Sequence, residues 1–204
     1  MERLTKAHES RSFPRGKLIY QQDRANPKIF CVTSGLIKVY HTSPRGTRHI
    51  LYLAGAGDFL GVPQLLGGRF HADYSAEAVT PTLACQIDGE TVMKTMESDP
   101  QVALNVLRSL AEGLDRAEAR FLSQVNLSGP IRLAQLLVQC AELDPAGEIA
   151  PLSKEEMGQL TCTTEVLVAR WIRLWLRKGF LKTRGTGLLV ADSRALLAFV
   201  ASQR

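Results

Sequence analysis

What the sequence does without narrows it first. No apolar run approaches the roughly 18 residues that a membrane-crossing helix takes. Met1 to Glu9 is polar and charged, which predicts no signal peptide, so a soluble, cytoplasmic protein with no membrane partner is expected. The four cysteines, at 31, 85, 140 and 162, stand singly with no C-x-x-C pair. That spacing argues against a zinc site or a sequence-evident iron–sulfur site and predicts reduced, buried thiols in a reducing compartment. The histidines, His8, His41, His49 and His71, form no H-x-H pair, so the metal signal of a cupin enzyme is missing. There is no G-x-S-x-G elbow and no G-x-x-x-x-G-K phosphate loop. No enzyme is expected. A β-roll enzyme with an accessory domain survives as an alternative by default, and turnover of a small substrate by the first 126 residues would revive it.

What is present begins with ample core material: 45% of the 204 residues are apolar, enough for one or two domains. The net charge of +5, with a pI near 9.2, is mild, so the distribution of charge matters more than its total.

The most informative stretch runs from Leu152 to Leu181. Ser153 with Glu156 three residues later is a capping box that starts a helix, and Met157 and Leu160 form its buried side. After a break at Thr161 to Thr163, Thr164 is the N-cap of a second helix that ends at Gly179. One face of it carries Val168, Trp171, Ile172, Leu174 and Trp175; the other carries Val166, Ala169, Arg170, Arg173 and Arg177. Two helices joined by a short turn, the second apolar on one side and basic on the other, read as a helix-turn-helix whose second helix enters the DNA major groove. Between Glu165 and Arg184 six basic residues face one acidic residue, a local charge of +5. A solvated basic face on an ordinary helix pair is the alternative. Leu181–Thr183 and Leu188–Val190 around Arg184-Gly185-Thr186-Gly187 predict a hairpin, a wing whose Lys182 and Arg184 meet phosphates.

Upstream, Leu18–Tyr20, Ile29–Val32, Leu36–Tyr40, His49–Leu53, Ala76–Val79 and Leu83–Ile87 read as short strands punctuated by glycines, a barrel or sandwich by pattern alone. Ser43-Pro44-Arg45-Gly46 predicts a type I turn. Glu90–Glu97 reads as a short helix, and Asp99-Pro100 opens a long one. On that helix Leu107, Leu110, Leu114, Ala117 and Phe121 recur at three- and four-residue steps, the seam of a coiled-coil dimer. A helix packed on its own β unit is the alternative. Ser128-Gly129-Pro130 breaks the helix, and Ile131, Leu133, Leu136, Leu137 and Val138 form the apolar side of the next.

L-S-K-E-E-M-G-Q-L, the T-C-T-T turn, Arg170 and the G-F-L-K that begins the wing resemble the DNA-binding domain of the cyclic-AMP receptor protein and fumarate-nitrate regulator (CRP/FNR) family of bacterial transcription regulators. IFCVTSGLIKVYHTSPRGTRHILYLAGAGDFLG, from Ile29 to Gly61, is similar to the family's sensor-domain signature. The resemblance implies an α+β chain: a β-roll sensor of the cyclic-nucleotide-binding jelly-roll type (1–98), a dimerisation helix (99–126) and a winged helix-turn-helix domain (127–204). It implies a homodimer on an inverted-repeat operator, with half-site centres about one helical turn, roughly 34 Å, apart. RNA polymerase is a further partner if the protein activates. An architectural DNA-binding protein is the alternative from another class.

Within that resemblance, Thr164, Glu165, Val166, Ala169, Arg170 and Arg173 face the groove, and Lys182 and Arg184 the backbone. Glu165 and Val166 stand where the family usually has arginine and glutamate, so its usual half-sites are expected to bind poorly, with Arg170 keeping a guanine contact. Members that bind cyclic AMP place a glutamate soon after the G-D-F-x-G turn and an arginine–serine pair further on. This chain has Val62 and Pro63, then Ala72, Asp73, Tyr74 and Ser75, so physiological cyclic-nucleotide binding is not expected. His71, Tyr74 and Ser75 are the effector-pocket candidates. The remaining signals are haem on His71, a thiol switch at Cys31, Cys85 or above all Cys162 in the turn before the recognition helix, another small molecule, or none.

Overall fold

Short β-branched and aromatic segments between turn residues give the first half of the chain its strands, and long apolar-periodic segments give the rest its helices. The computed structural model describes residues 9–68, 71–142, 149, 151–185 and 187–202. His8 and Thr186 lie outside them. The fold is α+β, and the chain divides into two compact units, Met1–Ala117 and Glu118–Arg204. That division falls inside the long helix, a segment that the sequence pattern sets apart as 99–126.

In the first unit, β1 (Glu9–Phe13), β2 (Leu18–Tyr20), β3 (Lys28–Ser34), β4 (Ile37–Thr42), β5 (Arg48–Ala54), β6 (Phe59–Leu60), β7 (Ser75–Ala78) and β8 (Thr82–Asp88) form two antiparallel sheets. Their orders are β1-β8-β3-β6 and β2-β7-β4-β5. The expected turn is present between β4 and β5, where Gly46 N–H donates to Ser43 O at 2.8 Å. β1 and β6 carry no strand pattern in the sequence, the one being mostly polar and the other two residues long. Of the ESRSF run only Phe13 is buried, and it packs edge-on against Phe30 with ring centroids 6.3 Å apart. The core between the sheets comprises Phe13, Phe30, Val32, Ile37, Val39, Ala54, Leu60, Ala76, Ala78 and Ala84. Each larger side chain there contributes about 1.5 to 3 kcal/mol by leaving water.

A second cluster lies on the other face of β3 and β8, where Ile29 and Ile87 pack with Val62 and Val92. α1 (Val62–Leu66), α2 (Gly89–Ser98) and α3 (Pro100–Asn126) supply its remaining partners, among them Leu65, Met96, Val106 and Leu110. Asp99 starts α3 as expected, its carboxylate accepting from Gln101 N–H at 3.0 Å. Arg116 on α3 also pairs with Asp58 at 3.0 Å.

The second unit contains α4 (Gly129–Glu142), α5 (Lys154–Leu160), α6 (Glu165–Arg177), the β9 (Leu181–Arg184) and β10 (Gly187–Val190) hairpin, and α7 (Ser193–Ala201). Its core is Leu133, Leu137, Val168, Trp175, Leu181, Leu196 and Val200, each at most 2% exposed. α7 was also unforeseen; Asp192 caps it by accepting from Ala195 N–H at 2.9 Å.

Candidate nucleic-acid interface

The capping box that starts α5 is complete: Glu156 N–H donates to Ser153 Oγ at 3.1 Å, and Ser153 N–H to Glu156 Oε2 at 2.7 Å. α5 stops at Thr161, whose buried hydroxyl donates to Met157 O at 2.7 Å. Cys162 then takes a left-handed conformation, φ 47°, which turns the chain toward α6. Gly158 allows the two helices this close. A Cβ on it would lie 2.8 Å from Thr163 O, and Thr163 N–H in turn donates to Gly158 O at 2.9 Å. Thr164 Oγ1 accepts from Leu167 N–H at 3.3 Å and starts α6. At the far end Gly179, φ 78°, lets its N–H reach Leu176 O at 3.1 Å while Phe180 N–H reaches Trp175 O at 3.0 Å, a Schellman ending.

Between these caps α6 is two-faced. Val168, Ile172 and Trp175 are buried. Glu165, Val166, Arg170, Arg173 and Arg177 are exposed, and Ala169 is half-buried among them. Val166 is 75% exposed, an apolar side chain held in water at the start of the helix. Arg170, Arg173, Leu176 and Arg177 line a shallow groove. Arg173 Nε is 3.3 Å from Ala169 O. Lys182 and Arg184 are exposed on β9, and Gly187 pairs with Arg184 to close the wing. Lys178, counted in the local positive charge, lies instead over the Phe199 ring at 5.3 Å from its centroid.

One residue at this site had no signal in the sequence reading. The Arg132 guanidinium on α4 reaches the turn itself, with Nε donating to Thr161 O at 2.8 Å and Nη2 to Cys162 O at 3.3 Å. Its Nη1 donates to Leu127 O and, at 3.3 Å, to Gln124 O at the end of α3. A planar fork with several donors fits such a set of carbonyls; a lysine does not. The partners in the turn lie about thirty residues downstream, so local spacing gives no hint of them.

The other candidate residues fall into separate places. On α3, Leu107, Leu114 and Phe121 are 56%, 60% and 65% exposed, Ala117 is exposed beside them, and Leu104, Leu122 and Val125 extend the apolar surface. Leu110 does not belong to that surface; it is half-buried against the Ile29–Ile87 cluster. A repeat of about two heptads does not distinguish the residues that turn inward from those that turn out. His71 is exposed and bridges Ala25. The Tyr74 ring packs on the roll core, and Ser75 Oγ accepts from Gln22 N–H at 3.0 Å. Val62, just after the Gly57-Asp58-Phe59 turn, is buried in the second cluster. The expectation of buried thiols holds for Cys140 alone; Cys31 and Cys85 are half-buried and Cys162 is exposed. Among the described residues no group of three or more His, Cys, Asp or Glu side chains could hold a metal ion. No described helix is long and apolar enough to cross a membrane.

A jelly roll followed by a long helix and a winged helix-turn-helix is the order of modules in a class of two-unit transcription regulators. Residues 10–99 match the family model of the cyclic nucleotide-binding domain. The chain is 24% identical over 199 residues to the CRP-like cAMP-activated global transcriptional regulator of Mycobacterium tuberculosis, covering 95% of this chain and 88% of that one. It is 27% identical over 195 residues to the cyclic AMP receptor protein of Thermus thermophilus, with the same shares covered. The fold matches that of FixK2 from Bradyrhizobium japonicum with a TM-score of 0.79 at 23% identity, over 93% of this chain and 95% of that one. The first half of the chain thus resembles a cyclic nucleotide-binding domain, and nearly the whole chain is similar to curated proteins named as regulators of transcription.

Proposed function

We propose that the protein is a homodimeric, sequence-specific DNA-binding regulator that reads its operator with α6. The observation that carries this is the division of that helix: Val168, Ile172 and Trp175 fix one side in the core, and Val166, Arg170, Arg173 and Arg177 are exposed on the other. A helix so anchored presents a rigid basic edge, with an N-terminal end of suitable size for base contacts. Thr164, Glu165, Val166, Ala169, Arg170 and Arg173 face the groove, and Lys182 and Arg184 on the wing meet phosphates. The exposed stripe of α3, through Leu104, Leu107, Leu114, Phe121 and Val125, is the seam with a second copy. A two-fold dimer then binds an inverted repeat with half-site centres about one helical turn apart.

Cyclic AMP is not its signal. The names of two relatives attach that nucleotide to those proteins, but Val62 is buried apolar where the ribose-binding acid would stand, and Asp73 takes a place that a guanidinium or hydroxyl would need. Calorimetry with cyclic AMP is expected to give no binding, and a micromolar or tighter constant would contradict this. The DNA reading is tested by competition. Binding to a selected inverted repeat is expected to survive excess nonspecific DNA, and binding that the competitor abolishes would make the protein architectural instead.

A further inference from the structure

Cys31 and Cys85 are far apart in sequence and directly opposite in space. The antiparallel register of β3 and β8 pairs them as partners, one rung from Val32–Ala84 and two from Ile29–Ile87. Val32 gives its N–H to Asp58 O and takes Gly57 N–H on its own carbonyl. Its neighbour Cys31 therefore turns its backbone groups the other way, toward β8. Residues paired in that manner have Cα atoms about 5.5 Å apart, inside the roughly 4.4 to 6.8 Å that disulfides span. The two side chains share the face that carries Ile29 and Ile87, because strand side chains repeat every second residue.

The surroundings leave the thiols reachable. Both are half-buried. Thr33 Oγ1 lies 3.7 Å from Cys85 Sγ on one side, and the Ile29–Ile87 cluster, on which Val106 and Leu110 of α3 pack, lies on the other. Burial, the neighbouring Cys85 and then Asp58 hold the Cys31 thiol above its ordinary range. A mostly protonated thiol reacts slowly, so the pair stays reduced at low oxidant.

We infer that Cys31 and Cys85 form a redox-modification site, closing to a reversible cross-strand disulfide when a hydroperoxide is the oxidant. One thiolate attacks a peroxide oxygen; the O–O bond breaks, water leaves, and the sulfur becomes a sulfenic acid. The opposing thiolate attacks that sulfur; the S–S bond forms, the S–O bond breaks, and a second water leaves. Two thiols give up two electrons, and one hydrogen peroxide becomes two waters. Opposed side chains on a hydrogen-bonded rung must lean together to bond, which makes this cystine easily reduced. Cys162 is exposed with no opposed thiol in its turn, so it does not enter the pair.

The inference is independent of the DNA reading. The full-length protein is exposed to hydrogen peroxide, denatured, alkylated and digested for mass spectrometry. The expected result is a linked peptide pair containing Cys31 and Cys85, abolished by dithiothreitol, absent from Cys31→Ser and Cys85→Ser, and still formed in Cys162→Ser. Oxidation of Cys162 while Cys31 and Cys85 remain alkylatable would overturn it. So would separate sulfinic acids at Cys31 and Cys85 without a cross-link.

Discussion

The two units differ in how far apart the residues that make their chemistry lie. In the winged helix-turn-helix, one stretch of thirty residues supplies the capping box, the turn, the buried face, the basic face and the helix ending. In the roll, the Cys31–Cys85 pair and the core arise from strands that meet only after the chain has folded back on itself. A surface built from one helix keeps its shape as long as that helix is anchored. One built from sheet pairings depends on register, and a slip of one residue turns every side chain to the other face.

The largest effect that sharpens this contrast is on assembly. Replacing Leu107 and Leu114 by aspartate is expected to abolish the dimer, and specific DNA binding with it, while the roll keeps its thermal stability. Leu110→Ala is expected to do the reverse, lowering stability by about 1 to 2 kcal/mol because its site is only half-buried, with the dimer intact in sedimentation. If both changes act alike, the two faces of α3 are not separate.

Next comes the anchor of α6. Trp175 is 1% exposed, so Trp175→Ala is expected to cost about 3 to 5 kcal/mol. Chemical denaturation of the isolated second unit against that of the roll would assign the loss to the former.

Arg132→Ala is smaller, about 2 kcal/mol, since it frees the carbonyls of Thr161, Cys162, Gln124 and Leu127 at once. Arg132→Lys is expected to restore little of it, because an ammonium has no fork; full recovery in the lysine variant would reduce the residue to a simple charge.

A buried thiol adds a pH dependence. Burial pushes the Cys140 thiol up to about 12 from an ordinary value of 9.0. Unfolding releases it to ionise at the lower value, so its contribution is full below pH 9 and is lost as pH rises toward 12. Stability therefore falls with rising pH only inside that window. Urea midpoints of the wild type and Cys140→Ala, measured through the same window, should converge as pH rises.

Legibility followed the same divide. Ser153 with Glu156, Thr164 before an apolar–basic helix and Gly179 after it act within a few residues of themselves, so the helix-turn-helix could be read at its correct ends. β1 could not be: four of its five residues are exposed and polar, and it is a strand because β8 offers an open edge. Leu110 was placed in the seam because the helix alone does not say which of its apolar residues meets Ile29 and Ile87. Arg132 was missed because its partners in the turn are distant in the chain. Among the cysteines, reading pointed to Cys162 by its position in the turn, whereas only the pairing of β3 with β8 brings Cys31 to Cys85.

If α6 reads the operator, Glu165 and Val166 at its exposed start set the preferred half-site. Selection from random DNA with the wild type is expected to return an inverted repeat with half-site centres about one helical turn apart. The same selection with Glu165→Arg and Val166→Glu together is expected to return a different half-site, enriched in the guanine that arginine recognises. An unchanged preferred sequence in the double variant would contradict the assignment of this face to the DNA.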